Sequence, residues 1–140
     1  MAATTEQKSP SGDGTTGRGA PTWYEEFYAG LDAKDLTVVD RLCTPDTTMR
    51  MANHDMDTGR DAVRAGTAHF FTMIGGMRHT FVKVVEDGDS AYLEAIVEYT
   101  RLDGSTVSIP VSTAIDRRDG LIAAQRVYID LGPLFDAGPL

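Results

Sequence analysis

One cysteine, Cys43, is all the thiol chemistry this sequence holds, so no internal disulfide can form. No stretch approaches the roughly 20 consecutive apolar residues that a membrane-spanning helix needs, and the amino terminus lacks the basic start and apolar run of a secretory signal. Positive charge is also short: 13 Lys and Arg face 21 Asp and Glu, a formal net charge of −8. Such a surface gains little by displacing the counterions of a nucleic acid or an anionic membrane. Neither is expected as a partner, and cytoplasmic residence is expected. There is no Gly-rich phosphate loop, no nucleophile elbow and no Cys-His pair. His54 and Asp55 are adjacent and would point apart on a strand, while His69 and His79 have no partner at i, i+4. No metal site and no cofactor are therefore expected.

What is present suffices for one core. A chain of 140 residues that is 41% hydrophobic fits one domain and is too short for two of ordinary size. Residues 1–20, MAATTEQKSPSGDGTTGRGA, offer almost no apolar surface to offset the entropy of ordering them. They are expected to form a disordered tail, with the domain over 21–135 and a short end segment over 136–140.

From Pro21 the pattern turns helical, with Trp23, Phe27 and Leu31 on one face and Tyr24 and Tyr28 between them. A turn at residues 32–35 leads to a second helix over 36–42 with Val39 on its buried side, which Thr44-Pro45-Asp46 is expected to break. Residues 47–53 then alternate Met49, Met51 and Asn53 against Thr48, Arg50 and Ala52, the period of a half-buried strand. Val63, Phe70 and Ile74 mark a third helix over about 60–73, which Gly75-Gly76 stops. Four strands follow over 79–86, 91–102, 106–116 and 121–131, separated by the Asp-Gly turns at 87–89, 103–105 and 118–120. The helices are left to cover one face of an antiparallel meander, an α+β arrangement.

This order, together with the start WYEEFYAGLDAKDL, the segment TGRDAVRA and the ending DGLIAAQRVYIDLGPLF, resembles the nuclear transport factor 2-like superfamily and, more narrowly, its SnoaL-like domains. The resemblance covers about residues 21–135. It implies a cone-shaped α+β fold in which a curved, mostly antiparallel sheet wraps three helices, in the order ααβαββββ, around a small-molecule pocket. The superfamily includes ketosteroid isomerases, limonene-type epoxide hydrolases, SnoaL-type polyketide cyclases and members that only bind or scaffold. By this resemblance Phe27 stands where the isomerases carry an enolate-stabilising tyrosine, Met51 near their proton-shuttling aspartate and Ser112 near their protonated aspartic acid. Asn53 matches the asparagine that holds water in the epoxide hydrolases, Val127 replaces the acid of the cyclases, and Gln125 takes the inward position before it.

The residues left to carry chemistry gather around Asn53-His54-Asp55 at the end of the first strand. His54 has a suitable intrinsic pKa for an acid or base and Asp55 could orient it; a solvated loop before helix three is the plainer reading. Tyr24, one turn before Phe27, could supply the missing donor. Phe27, Met51, Asn53, Ser112, Gln125 and Val127 are the expected substrate contacts. Glu94 and Glu98 share one face of their strand and are solvated if Leu93, Ala95, Val97 and Tyr99 look inward; a one-residue shift would place both carboxylates inside. In the strand TVSIPVSTAI the resemblance turns Ser108, Pro110, Ser112 and Ala114 inward. That leaves Val107, Ile109, Val111 and Ile115 outside, where a homodimer would cover them; core packing in the opposite register competes. Met49, Met51, Met56, Met73 and Met77 suggest a pliable apolar lining.

Two functions follow. One is a cofactor-independent cyclase, isomerase or hydrolase acting on an apolar metabolite, a polyketide or terpenoid, with Tyr24 and His54 or Asp55 moving protons. The other is a binding or scaffold module that keeps the fold without the chemistry, which the losses at Phe27, Met51, Ser112 and Val127 favour.

Overall fold

The computed structural model describes residues 20–135. The expected tails, over 1–20 and 136–140, lie outside the described residues except for Ala20. The first helix, α1 (Trp23–Asp32), opens on a capping box in which Thr22 accepts from the Glu25 N–H while the Glu25 carboxylate accepts from the Thr22 N–H. Its buried side is Phe27 and Tyr28. Gly30 is what lets α2 (Thr37–Leu42) cross so near, because a methyl group at that position would collide with Val38. Between the two helices Lys34 adopts a positive φ of 57° and its ammonium donates to the carbonyls of Phe71 and Ile74, at 3.0 and 2.8 Å.

Helix α2 ends at Leu42, before Thr44-Pro45-Asp46 as expected, and strand β1 (Cys43–Met51) starts directly after it, taking in this segment instead of beginning at Thr47. A register shift between Cys43 and Thr48 accommodates Pro45, and the buried Thr47 donates to the carbonyl of Ile122 at 2.9 Å. A two-residue strand β2 (Asp57–Thr58) forms where a loop was expected, followed by α3 (Arg60–Thr72). The meander β3 (Gly76–Asp87), β4 (Ser90–Thr100), β5 (Thr106–Arg118) and β6 (Leu121–Ile129) completes the sheet before a single turn, α4 (Gly132–Phe135). Asp119 and Gly120, with φ of 54° and 80°, turn β5 into β6, as a two-residue hairpin demands.

The six strands lie in the order β2-β1-β6-β5-β4-β3. All pairs are antiparallel except β1 with β6, so the first long strand and the last run side by side in the same direction. The three long helices pack on one face, around Phe27, Val38, Val39 and Val63 with Ile115 and Ile122 of the sheet. A second group, Ile74, Val97, Tyr99, Ile109 and Leu134, fills the far end.

Sheet register corrects one expectation drawn from the resemblance. On β5 Ile109, Val111, Thr113 and Ile115 are buried, and of the set expected inward only Ala114 is buried, while Ser108, Pro110 and Ser112 are exposed. The physical reason is the burial free energy of the β-branched side chains, roughly 1.5–3 kcal/mol each, which the small set could not supply. The set Val107, Ile109, Val111 and Ile115 that motivated a dimer is thus not on the outer face; the exposed apolar groups there include Val85, Tyr92, Ile96, Pro110 and Tyr128. The same parity turns Glu94 and Glu98 outward, and Glu98 lies 3.5 Å from Arg78.

Candidate functional site

Between α1, α3 and the inner sheet face lies a cavity of about 390 Å³, a volume suited to a small molecule. Its walls are mainly apolar. Phe27 and Leu31 come from α1, Phe70 and Phe71 from α3, and Met49 and Met51 from β1. Met73 and Met77 join them, whereas Met56 is exposed and takes no part.

At one end a histidine-carboxylate pair is set into this wall. On β3, His79 alternates with Met77 and Phe81, which turns it inward. Asp32 closes α1 and receives both the backbone N–H of His79, at 2.9 Å on Oδ2, and its Nδ1, at 2.7 Å on Oδ1. An ionised carboxylate can only accept, so Nδ1 donates to it, and in the neutral form of this tautomer the lone pair of the ring lies on Nε2. The pair is mostly sheltered, with side-chain exposures of 11% and 22%.

Tyr28 lies one helical turn before Asp32, its ring 4.8 Å from that of His79. Burial pushes its phenol up to about 12; a hydrogen bond with Thr113 of β5 opposes the shift and the Asp32 charge adds to it. Burial likewise raises the phenol of Tyr99, with Asp32 again contributing. Both hydroxyls stay protonated near neutral pH and are available to donate. The Tyr28 donor is thus one residue beyond Phe27, the position that the resemblance singled out.

At the other end the polar groups are of a different kind. Asp57, Met49, Gln125 and Ile115 pair across β2, β1, β6 and β5 and so form one inward row. Gln125 is 3% exposed, and no described group bonds its side chain. The Asp57 carboxylate runs along α3 at Gly66, where an added methyl would overlap it. His54, Asp55 and His69 line the cavity nearby in sequence and are exposed.

Of the residues expected at the site, Phe27, Met51, His54, Asp55, Gln125 and Val127 line the cavity. Three do not. Ser112 faces out because of the β5 register. Asn53 loses the Met49–Met51 alternation because β1 ends at Met51 and Ala52 takes a φ of 53°, leaving Asn53 exposed. Tyr24 sets its ring edge-on against Phe81, with centroids 5.5 Å apart, outside the lining. The sequence reading missed Tyr28, Asp32, Asp57 and His79. The i, i+4 spacing of Tyr28 and Asp32 was visible, and so was the alternation through His79; what no pattern displayed was that α1 ends over β3. Among the described residues no group of three or more His, Cys, Asp or Glu side chains could hold a metal ion, and no helix is long and apolar enough to cross a membrane.

Solved structures of the same architecture are numerous. An NTF2-like protein of unknown function from Burkholderia pseudomallei K96243 superposes with a TM-score of 0.73 at 18% identity, covering 80% of this chain and 91% of its own. TerC, crystallised with polyporic acid, gives 0.72 at 22% identity, with 80% and 92% covered. An LEH-like epoxide hydrolase of M. tuberculosis gives 0.69 at 18%, with 81% and 84% covered. At these identities the likeness is one of fold, the α+β NTF2-like fold. No curated protein matches the sequence significantly. The family model described as SnoaL-like domain matches residues 24–125, from the first helix to the last strand, and the chain belongs to that SnoaL-like family.

Proposed function

We propose that this protein binds an apolar small molecule in its cavity and moves a proton on it without a cofactor, in a cyclisation, isomerisation or hydration. The observation that carries the reading is the 2.7 Å pair of His79 and Asp32 on the wall of an apolar cavity, beside the protonated Tyr28 hydroxyl. Asp32 holds the imidazole with Nδ1 protonated, Nε2 takes a proton from carbon or water, and Tyr28 or Tyr99 donates to the oxygen on which charge develops. His54 and Asp55 assist at the mouth, and Phe27, Met51 and Val127 shape the apolar body of the site. Polyketide- or terpenoid-like ketones fit such walls.

The reading is tested by proton exchange at the carbon next to the carbonyl of 2-tetralone in deuterated buffer, followed by NMR. Wild-type protein is expected to accelerate exchange and His79→Ala to return it to the buffer rate. A wild type no faster than buffer across apolar ketones, lactones and epoxides removes the catalytic reading. It would leave the binding module, which the apolar residues at Phe27, Met51 and Val127 favour. A second copy of the chain as partner rests on exposed Tyr92, Ile96 and Tyr128; sedimentation showing only a 15.2 kDa species removes it.

A further inference from the structure

The side chains of Gln125 and Asp57, both on the cavity wall, have no partner among the described residues. Gln125 is buried to within 3% and its amide meets no hydrogen-bonding group. Asp57 lines the same cavity and takes part in no ion pair or hydrogen bond there. Buried polar groups in folded proteins are ordinarily satisfied, and an exception on a cavity wall calls for a ligand. The two residues are not scattered: they occupy one row across β2, β1 and β6, with Met49 between them. Two strand spacings, roughly 10 Å, separate their backbones, a span that the head of one small molecule can bridge.

The chemistry of that head follows from what surrounds it. A carboxylate only accepts hydrogen bonds, whereas an amide can accept through its oxygen. Neither Lys nor Arg lines the cavity; its other titratable groups are His54, Asp55, His69, His79 and the phenols of Tyr28 and Tyr99. The carboxylates of Asp55 and Asp57 put negative charge on this wall with no Lys or Arg to offset it, which disfavours a carboxylate or phosphate and attracts a cation. The rings of Phe27, Phe70 and Phe71 share the space, and aromatic faces attract cations lying over them.

Gly66 adds an independent observation. Glycine inside a helix is unfavourable relative to alanine, yet α3 carries one where any side chain would push the Asp57 carboxylate away. The helix thus leaves room for a charge that the rest of the described structure does not use.

We infer that the cavity selects an apolar ligand bearing a protonated amine. The ammonium is held by Asp57, and Gln125 accepts a second hydrogen bond from the same ligand. The inference rests on the reading of the cavity as a small-molecule site, and it goes beyond that reading in naming the substrate class.

The test uses tryptamine, tryptophol and indolepropionate, three probes with one apolar body and a cationic, neutral or anionic head, titrated calorimetrically into the full chain near pH 7. Tryptamine is expected to bind roughly tenfold more tightly than tryptophol, and indolepropionate more weakly than either. Asp57→Asn should bring the amine and the alcohol within about twofold of each other. Gly66→Ala should do the same by displacing the carboxylate, in a helix that alanine favours. Equal affinities for amine and alcohol in the wild type overturn the inference. So does a preference that survives both variants, or the failure of all three probes to bind at millimolar concentration. His79→Ala keeps the two proposals apart: an amine preference in a chain that exchanges no proton leaves this inference standing alone, and proton exchange without amine preference overturns this inference alone.

Discussion

The two ends of the cavity are built on opposite plans. At the α1–β3 end the pairing is made within the protein: Asp32 is engaged by the ring and backbone of His79, and Tyr28 by Thr113. At the β2–β6 end Asp57 and Gln125 face the cavity with nothing to bind among the described residues. Groups that are already paired hold a fixed geometry before any ligand arrives, which is what proton transfer requires. Groups left unpaired weaken the empty protein and are compensated on binding, which is what recognition requires. Chemistry and selection are thereby assigned to different walls.

Four perturbations would sharpen or break this contrast, and the largest effect should come at the paired end. His79→Ala is expected to lower the exchange rate by a factor of about 10² to 10⁴, measured by NMR, with folding intact by circular dichroism. A rate within a few-fold of wild type would remove the imidazole from the chemistry.

The next effect is one of pH. Folded Tyr28 ionises near 12 rather than at its ordinary 10.0. Because the folded value is the higher one, its contribution to stability is complete below pH 10 and is lost as pH rises through 12. The full loss amounts to about 3 kcal/mol. Urea unfolding between pH 8 and 11 should show a steeper decline for wild type than for Tyr28→Phe; parallel declines would contradict the buried phenol.

Asp32→Asn comes third. It leaves the His79 ring facing an amide in place of a carboxylate and should destabilise the fold by about 1–3 kcal/mol, read from the denaturation midpoint. The smallest effect has the opposite sign. Gln125→Leu replaces a buried, unbonded amide with an apolar side chain of similar size and should stabilise by about 1 kcal/mol while weakening tryptamine binding. Destabilisation there would mean that the amide is satisfied in the empty protein, and the contrast between the two ends would collapse.

The sequence disclosed the frame of this molecule more readily than its site. Helical spacing through Trp23, Phe27 and Leu31, the β-branched runs and the Asp-Gly turns are local signals, and each produced an element near its expected place. The resemblance read from WYEEFYAGLDAKDL and TGRDAVRA agrees with the family that matches residues 24–125. The site depended on relations that local patterns do not hold. Whether Ser112 or Thr113 faces the ligand was a choice between two registers, decided by the summed burial of Ile109, Val111 and Ile115. Asn53 was lost to one backbone angle at Ala52. His79 and Asp32 are 47 positions apart, and only the packing of α1 on β3 makes them neighbours. Pro45 was read correctly as lying beyond the end of helix two, but not as part of the following strand, since a register shift absorbs it within β1.

The parallel pairing of β1 with β6 also governs when this cavity can exist. Hairpins β3–β4 and β4–β5 join residues close in sequence and can form as soon as their turns are made. β1 must instead wait for a partner some 75 residues later, since Thr47 bonds Ile122 and Met49 pairs with Gln125. While the chain is being synthesised, Met49, Met51 and the inner face of the hairpins stay exposed to solvent until β6 slots between β1 and β5. The cavity wall that carries Met49 and Gln125 is therefore complete only once β1 and β6, distant in sequence, are paired.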